Sequence, residues 1–273
     1  MIKFWITDAM QIKRITTSLP ASILQYLIIV GLIIYAAYSG SQTMGYNWQW
    51  SRVPQYIYEI EDGVFVWKEI PRGMVGTIIL SAISFIIAIG IGLALALLRL
   101  SDLIVGRTLS ITLLEIIRNI PIIVLLYVCY YIFGRVFDLD RYAASVLCLS
   151  LYSGVQISEI IRAGINAVPK GQWEASSSIG MSKAQAYRYI IIPQSIRLII
   201  PPMTGEAVQM IRNSAIVSVI AVLELTTAGR NIISDTYMSF EIWFTVAAVY
   251  LVFTLILSIF VSGVERRFAT QTQ

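Results

Sequence analysis

Arg212, Asn213 and Ser214 stand together in a stretch that is otherwise largely apolar, shortly after the Pro201-Pro202 pair, which is expected to break the helix. A guanidinium is planar and offers paired donors, so it can hold a carboxylate through two hydrogen bonds. Glu206, Gln209 and Arg212–Asn213 recur at helical spacing and share one face. If the two prolines mark the inner edge of a bilayer, Arg212 lies about 15 Å further in, near the midplane. A charge at that depth costs about 2.5–3.5 kcal/mol on insertion scales and must face a watery cavity or a partner charge. Two readings stand. The face is a path for a substrate whose carboxylate meets Arg212, Asn213 and Ser214 and whose ammonium meets Glu206 or Glu159; or it packs against another subunit.

Two further polar groups lie in or beside apolar runs. Glu115, Arg118 and Asn119 precede Pro121. Glu115 and Arg118 are three residues apart, which predicts a neutralising ion pair on one helix face, and Asn119 joins the candidate path. Gln156, Glu159 and Arg162 follow one another at three-residue spacing. That stripe is either the polar end of a helix at the interface or part of a ligand site.

Some chemistry is excluded outright. The chain has no histidine, so it cannot build an H-E-x-x-H metal site or a Ser-His-Asp triad. It has no G-x-x-x-x-G-K-[ST] stretch, so it does not itself cradle a nucleotide phosphate. A membrane enzyme would need another constellation inside the spans. A channel or scaffold subunit working without ATP stays open as the alternative to a transporter.

The elements that must position these residues are membrane helices. The chain is 57% hydrophobic and only 13% charged, with a mean hydropathy of +0.75, against about 25% charge in soluble domains. Apolar runs near the ~20 residues of a membrane span cover 19–38, 73–98, 109–133, 142–161, 190–225 and 242–264. This predicts an all-α integral membrane protein with about six transmembrane helices. The first run is too long for a signal-peptide core and reads as an uncleaved anchor. With the N-terminus in the cytoplasm, the inside segments hold Lys3, Lys13, Arg14, Arg99, Arg107, Arg162, Lys170, Lys183, Arg188, Arg266 and Arg267. The outside segments then hold Arg52, Lys68, Arg72, Arg135, Arg141 and Arg230, as the positive-inside rule requires. The net charge of +4 therefore calls for no nucleic acid. Cys129 and Cys148 fall inside spans and read as packed thiols, the alternative being a disulfide that nothing in the sequence demands. Segment 39–71, rich in Trp and Tyr, reads as an interfacial surface helix or as a docking surface for a soluble partner.

One polar segment interrupts the apolar pattern on the cytoplasmic side. Pro169-Lys170-Gly171 signals a turn. Glu174 to Ile179 forms a short helix closed by Gly180, and Ser182 with Gln185 makes a capping box that starts a second helix leading to Pro193. The segment is a folded connector or a rigid knob that passes force to a soluble subunit.

The same segment carries a family resemblance. Glu174-Ala175-Ser176, then Gly180, Ile190 and Ile192-Pro193 resemble the E-A-A, G and I-x-L-P pattern of the membrane subunits of ABC-type importers. Ser176 replaces an alanine and Ile192 a leucine. The words EIIRNIP at 115–121, SEIIRAGINAVPKGQWEAS at 158–176 and PQSIRLIIPP at 193–202 resemble polar amino acid permeases, over roughly 72–265. PPMTGEAVQMIRNSAIVS at 201–218 and YNWQW at 46–50 look most like the glutamate/aspartate branch. Many such relatives have five spans, so the first span here looks like an addition.

The resemblance implies an ABC type-1 transmembrane domain over 72–265, preceded by an extra helix and extracytoplasmic segment in 1–71 and followed by a cytoplasmic tail, 266–273. It implies that Glu174, Ala175, Ser176, Gly180 and Pro193 form a coupling element on an ATPase subunit dimer. ATP and Mg bind that partner, and this chain binds no cofactor. A second permease subunit, related or identical, and an extracytoplasmic amino-acid-binding protein complete the machine. Its place is the bacterial cytoplasmic (inner) membrane, multi-pass, with both termini in the cytoplasm.

Overall fold

The computed structural model describes residues 19–101 and 103–269. Lys3, Lys13 and Arg14, which entered the charge balance, lie outside the described residues, as does the end of the tail. A first unit ends at Gln49; its described residues form one helix, α1 (Leu19–Thr43). Its apolar side chains from Ile23 to Tyr35 are largely exposed, as a lipid-facing span requires.

The second unit runs from Trp50. A 3₁₀ turn, Trp50–Tyr56, leads into strands β1 (Tyr58–Glu61) and β2 (Val64–Trp67), paired antiparallel with Tyr58 opposite Trp67. The surface helix expected over 39–71 is therefore not formed there. Asp62 and Gly63 both have positive φ, 51° and 77°, the geometry of a tight hairpin turn, and the β-branched and aromatic residues of VFVW favour a strand. Lys68 donates to Glu61 at 2.8 Å and also pairs with Glu59. Its ammonium holds the Glu61 carboxyl below the usual carboxylate range.

Helices follow: α2 (Glu69–Leu100), α3 (Ile104–Asn119), α4 (Ile122–Val136) and α5 (Arg141–Asn166). Next come α6 (Lys170–Ser178), α7 (Lys183–Ala186), α8 (Ile192–Ser214), α9 (Leu225–Thr236) and α10 (Ser239–Ala269). By length and hydropathy α1, α2, α5 and α10 can each cross a membrane; counting two bent pairs raises the number to six. The chain is an all-α integral membrane protein.

Two expectations about prolines are corrected. The run 109–133 is not one straight span: α3 and α4 meet at 109°. Pro121 forces Ile120 into an extended conformation (φ −98°, ψ 128°), because the ring clashes with a helical predecessor. By contrast, Pro201 and Pro202 lie inside α8 and do not end it. Adjacent prolines remove only two donors, and packed membrane helices can re-satisfy the freed groups. Pro193 likewise sits in the first turn of α8, where a missing donor costs nothing.

Helices α2 and α5 run parallel. The Ser150 hydroxyl donates to the Ser84 carbonyl at 3.1 Å, and further along Gly92 meets Gly154 and Ile157. Helix α8 returns antiparallel to α5, with Gly164 beside Ile199 and Ser153 beside Met210. Leu100 and Asn166 therefore end on the same side, and α6 and α7 project beyond it. The core between these helices is built on Leu80, Leu126, Leu149, Ile157, Ile191 and Met210. Cys129 and Cys148 are free, buried thiols within it.

The α2–α5 crossing depends on missing side chains. A Cβ at Gly92 would lie 2.5 Å from Ile157 Cγ2 and 2.9 Å from the Gly154 carbonyl oxygen. Without a hydrophobic driving force in lipid, small residues let backbones approach. Gly92→Val is expected to destabilise the fold by about 1–3 kcal/mol. Thermal unfolding of the purified, detergent-solubilised protein checks this as a fall in Tm.

Candidate functional site

Three polar groupings occupy different levels of the bundle. The outermost is the α6 knob. Its C-terminus closes with a two-bond cap: Gly180 N–H donates to Ser177 O at 3.0 Å and Met181 N–H to Ser176 O at 3.1 Å. Gly180 takes φ +78°, the left-handed conformation that glycine reaches without a Cβ penalty. Ser182 accepts from Gln185 N–H at 3.3 Å, and Gln185 accepts from Ser182 N–H at 2.9 Å. This is the capping box read from the sequence.

Helix α6 is fastened from one side. Trp173 packs edge-on against Tyr187 with centroids 5.1 Å apart. The Ser176 hydroxyl is turned inward and donates to Trp173 O at 2.7 Å, and Gln194 reaches Gln172 at 3.3 Å. The other side is open. Glu174 and Ala175 are exposed, and Ile179 is 71% exposed, an apolar residue outside any core. The Glu174 carboxylate holds no ion pair or side-chain hydrogen bond among the described residues. Of the residues expected to couple, Glu174 and Ala175 face outward, Ser176 is turned inward, Gly180 makes the turn and Pro193 starts α8.

The second grouping lies on α8. Arg212 donates to the Gln209 side chain at 2.6 Å, and Gln209 donates to Asn213 Oδ1 at 2.9 Å. Arg212 is exposed, and a guanidinium has five donors, so most of them are open to a ligand. The structure thus brings together Gln209, Arg212 and Asn213. It does not bring in Ser214, which is buried and donates to Ile211 O at 2.8 Å within its own helix. Glu206 turns toward Ser153 of α5, and its Oε1 is buried without a hydrogen-bond partner. Asn119 stands elsewhere, donating to Glu115 O at 2.7 Å and to the Glu115 carboxylate at 3.3 Å.

The third grouping was the least legible. Glu159 receives three guanidiniums: Arg162 at 2.7 Å, Arg118 at 3.8 Å, and Arg99 in closest contact. The expected Glu115–Arg118 pair does not form, because Arg118 turns across to α5 and Asn119 takes Glu115. Glu159 is also no free receptor for an ammonium group. It ties the ends of α2 and α3 to α5 and borders a cleft of about 440 Å³ with Ala163, Leu198 and Pro202. Arg99 and Glu159 are sixty residues apart, and no local spacing signals their contact.

Comparison with known proteins places this architecture. Residues 86–270 match the family described as "Binding-protein-dependent transport system inner membrane component". The probable glutamine ABC transporter permease protein GlnM of Bacillus subtilis (strain 168) is 35% identical, over 71% of this chain and 91% of its own length. The glutamate/aspartate import permease protein GltJ of Escherichia coli (strain K12) is 27% identical, over 70% and 83%. Among solved structures, the crystal structure of an amino acid ABC transporter with histidines superposes with a TM-score of 0.68 at 38% identity, covering 71% of this chain and 92% of that one.

Proposed function

We propose that this chain, which belongs to the family of binding-protein-dependent transport system inner membrane components, moves its cargo along the face of α8 that carries Arg212. It is the membrane-spanning permease subunit of an ATP-binding cassette importer for polar amino acids, and an inner-membrane protein. Glutamine-like and glutamate/aspartate-like cargoes both fit this class. The observation that carries the transport path is the half-buried Gln209–Asn213 pair capped by the exposed Arg212, a guanidinium whose donors are largely open. Arg212 and Asn213 take the carboxylate of the amino acid, and Glu206, whose unpartnered Oε1 is buried against α5 in this state, takes the ammonium when the path opens to it.

The chain works through partners. ATP and Mg bind an ATPase subunit dimer, which hydrolyses the nucleotide; the α6 knob docks on it through Glu174, Ala175 and Ile179. A second permease subunit, identical or related, closes the path, and an extracytoplasmic binding protein delivers the amino acid. The loop carrying α6 and α7 faces the cytoplasm, as do both termini. ATP favours the closed ATPase dimer, and this differential affinity shifts the permease between its two access states.

Arg212→Ala in the assembled complex is expected to lower substrate-stimulated ATPase and uptake by roughly tenfold or more, the worth of a lost charge-assisted pair. Arg212→Lys should recover part of it, since a point charge replaces a fork. Normal uptake by the alanine variant would remove Arg212 from the path. Co-purification tests the assembly: an ATPase chain should accompany this one, and recovery of a lone homo-oligomer would favour a channel or scaffold.

A further inference from the structure

Two apolar clefts adjoin at the end of the bundle opposite α6. One, of about 880 Å³, runs along α10 from Phe244 to Ile256 with Trp50 and Val53 on its other side. The second, of about 830 Å³, lies between the β-hairpin and the first turns of α2, under Phe65 and Trp67. Ile57, Met74 and Val249 line both and form a ridge between them. From Phe244 to Ile256 the helix rises roughly 18 Å, against ~15 Å for half the hydrocarbon core of a bilayer. The first cleft is therefore as deep as one leaflet.

The mouth of the second cleft is charged. Arg72 lines it, is exposed, and forms no ion pair among the described residues, although Glu69 stands one turn away. Lys68, by contrast, is bound to Glu59 and Glu61. Trp50 and Trp67 sit beside the two mouths, and such rings favour the level of lipid headgroups.

We propose that the paired clefts hold one two-chain phospholipid, with an acyl chain on each side of the Ile57–Met74–Val249 ridge and its phosphate on the Arg72 guanidinium. Placing it in the extracytoplasmic leaflet rests on the topology proposed above; occupancy of the clefts does not. The length match and the charge carry the choice of occupant. A helix from a second copy would fill the apolar space and leave the Arg72 guanidinium, which feels Glu61 only at a distance, without a directly bound anion. A phosphate supplies one, with the bidentate geometry a guanidinium favours.

The test uses the intact transporter, stripped of lipid in detergent and titrated with phosphatidylcholine bearing one pyrene-labelled acyl chain. Energy transfer from tryptophan to pyrene should saturate at one probe per copy of this chain. A pyrene-labelled fatty alcohol, which lacks the phosphate, should not saturate. Arg72→Ala should weaken the apparent affinity roughly tenfold. Ala248→Phe, and independently Val252→Phe, should block the α10 cleft and abolish the saturable phase without lowering Tm. Transfer that rises linearly and equally in all variants would overturn the site. So would disulfide cross-linking of Val252→Cys to a second copy in native membranes, which would show protein in the cleft.

Discussion

Gly180→Val is expected to cut uptake roughly tenfold while the assembled transporter goes on hydrolysing ATP. The reason is conformational and local. Gly180 holds φ +78°, and a residue with a Cβ pays about 1–2 kcal/mol in that region, more when it is β-branched. At 1.4 kcal/mol per tenfold, the capped form of α6 becomes a minor population. No atom lies within 4 Å of a Cβ placed at Gly180, so the substitution strains the turn without a clash and should leave Tm of the bundle nearly unchanged. Gly180→Asn should behave better than valine, because asparagine tolerates the left-handed region. Glu174→Lys reaches the same end by charge: it reverses an exposed carboxylate that no neighbour neutralises. The measurement is the ratio of amino acid taken up to ATP hydrolysed in proteoliposomes. An unchanged ratio in both Gly180→Val and Glu174→Lys would remove α6 as the point of coupling.

The knob was readable because its signals are local. Gly180 at a helix end and Ser182 with Gln185 act within a few residues, and the structure forms both caps. Asp62-Gly63 is as local a signal, followed by the β-branched and aromatic VFVW, yet the tryptophans and tyrosines around it favour a surface helix on composition alone. Hydropathy located the spans but could not show their bends. The proline effect depends on context: Pro121 ends a helix because Ile120 moves to an extended conformation, whereas Pro201 and Pro202 are absorbed in α8. Ser214 lies next to Asn213 in the chain, but a helix turns it about 100° away and into the core. Of the Glu159 cluster only the Arg162 contact follows a local spacing; Arg99 and Arg118 come from two other helices and lay beyond any local rule. Spacing alone paired Arg118 with Glu115, and tertiary packing gave it to Glu159.

That cluster should be the most sensitive charge in the chain. Glu159→Gln keeps the shape of the side chain and removes the one negative charge that three arginines share. The side chains are 23% exposed for Glu159 and Arg99, 32% for Arg162 and 46% for Arg118. Solvent screening therefore holds the effect below the 3–5 kcal/mol of a fully buried pair and above the 0–1 kcal/mol of a surface one, at about 2 kcal/mol. For a chain of this size that is a fall in Tm of about 4–8 °C. The single arginine variants should not match it. Three guanidiniums on one carboxylate leave two positive charges unbalanced, so Arg118→Gln, the most distant at 3.8 Å, relieves repulsion as well as losing attraction and should be close to neutral. Uptake should follow the same order, because α5 ends at Asn166, seven residues past Glu159, and leads through Pro169 directly into α6, so loosening the tie to α2 and α3 frees the base of the knob. A Glu159→Gln variant as stable and as active as the parent, or an Arg118→Gln variant that loses as much, would show that the cluster does not hold these helix ends together.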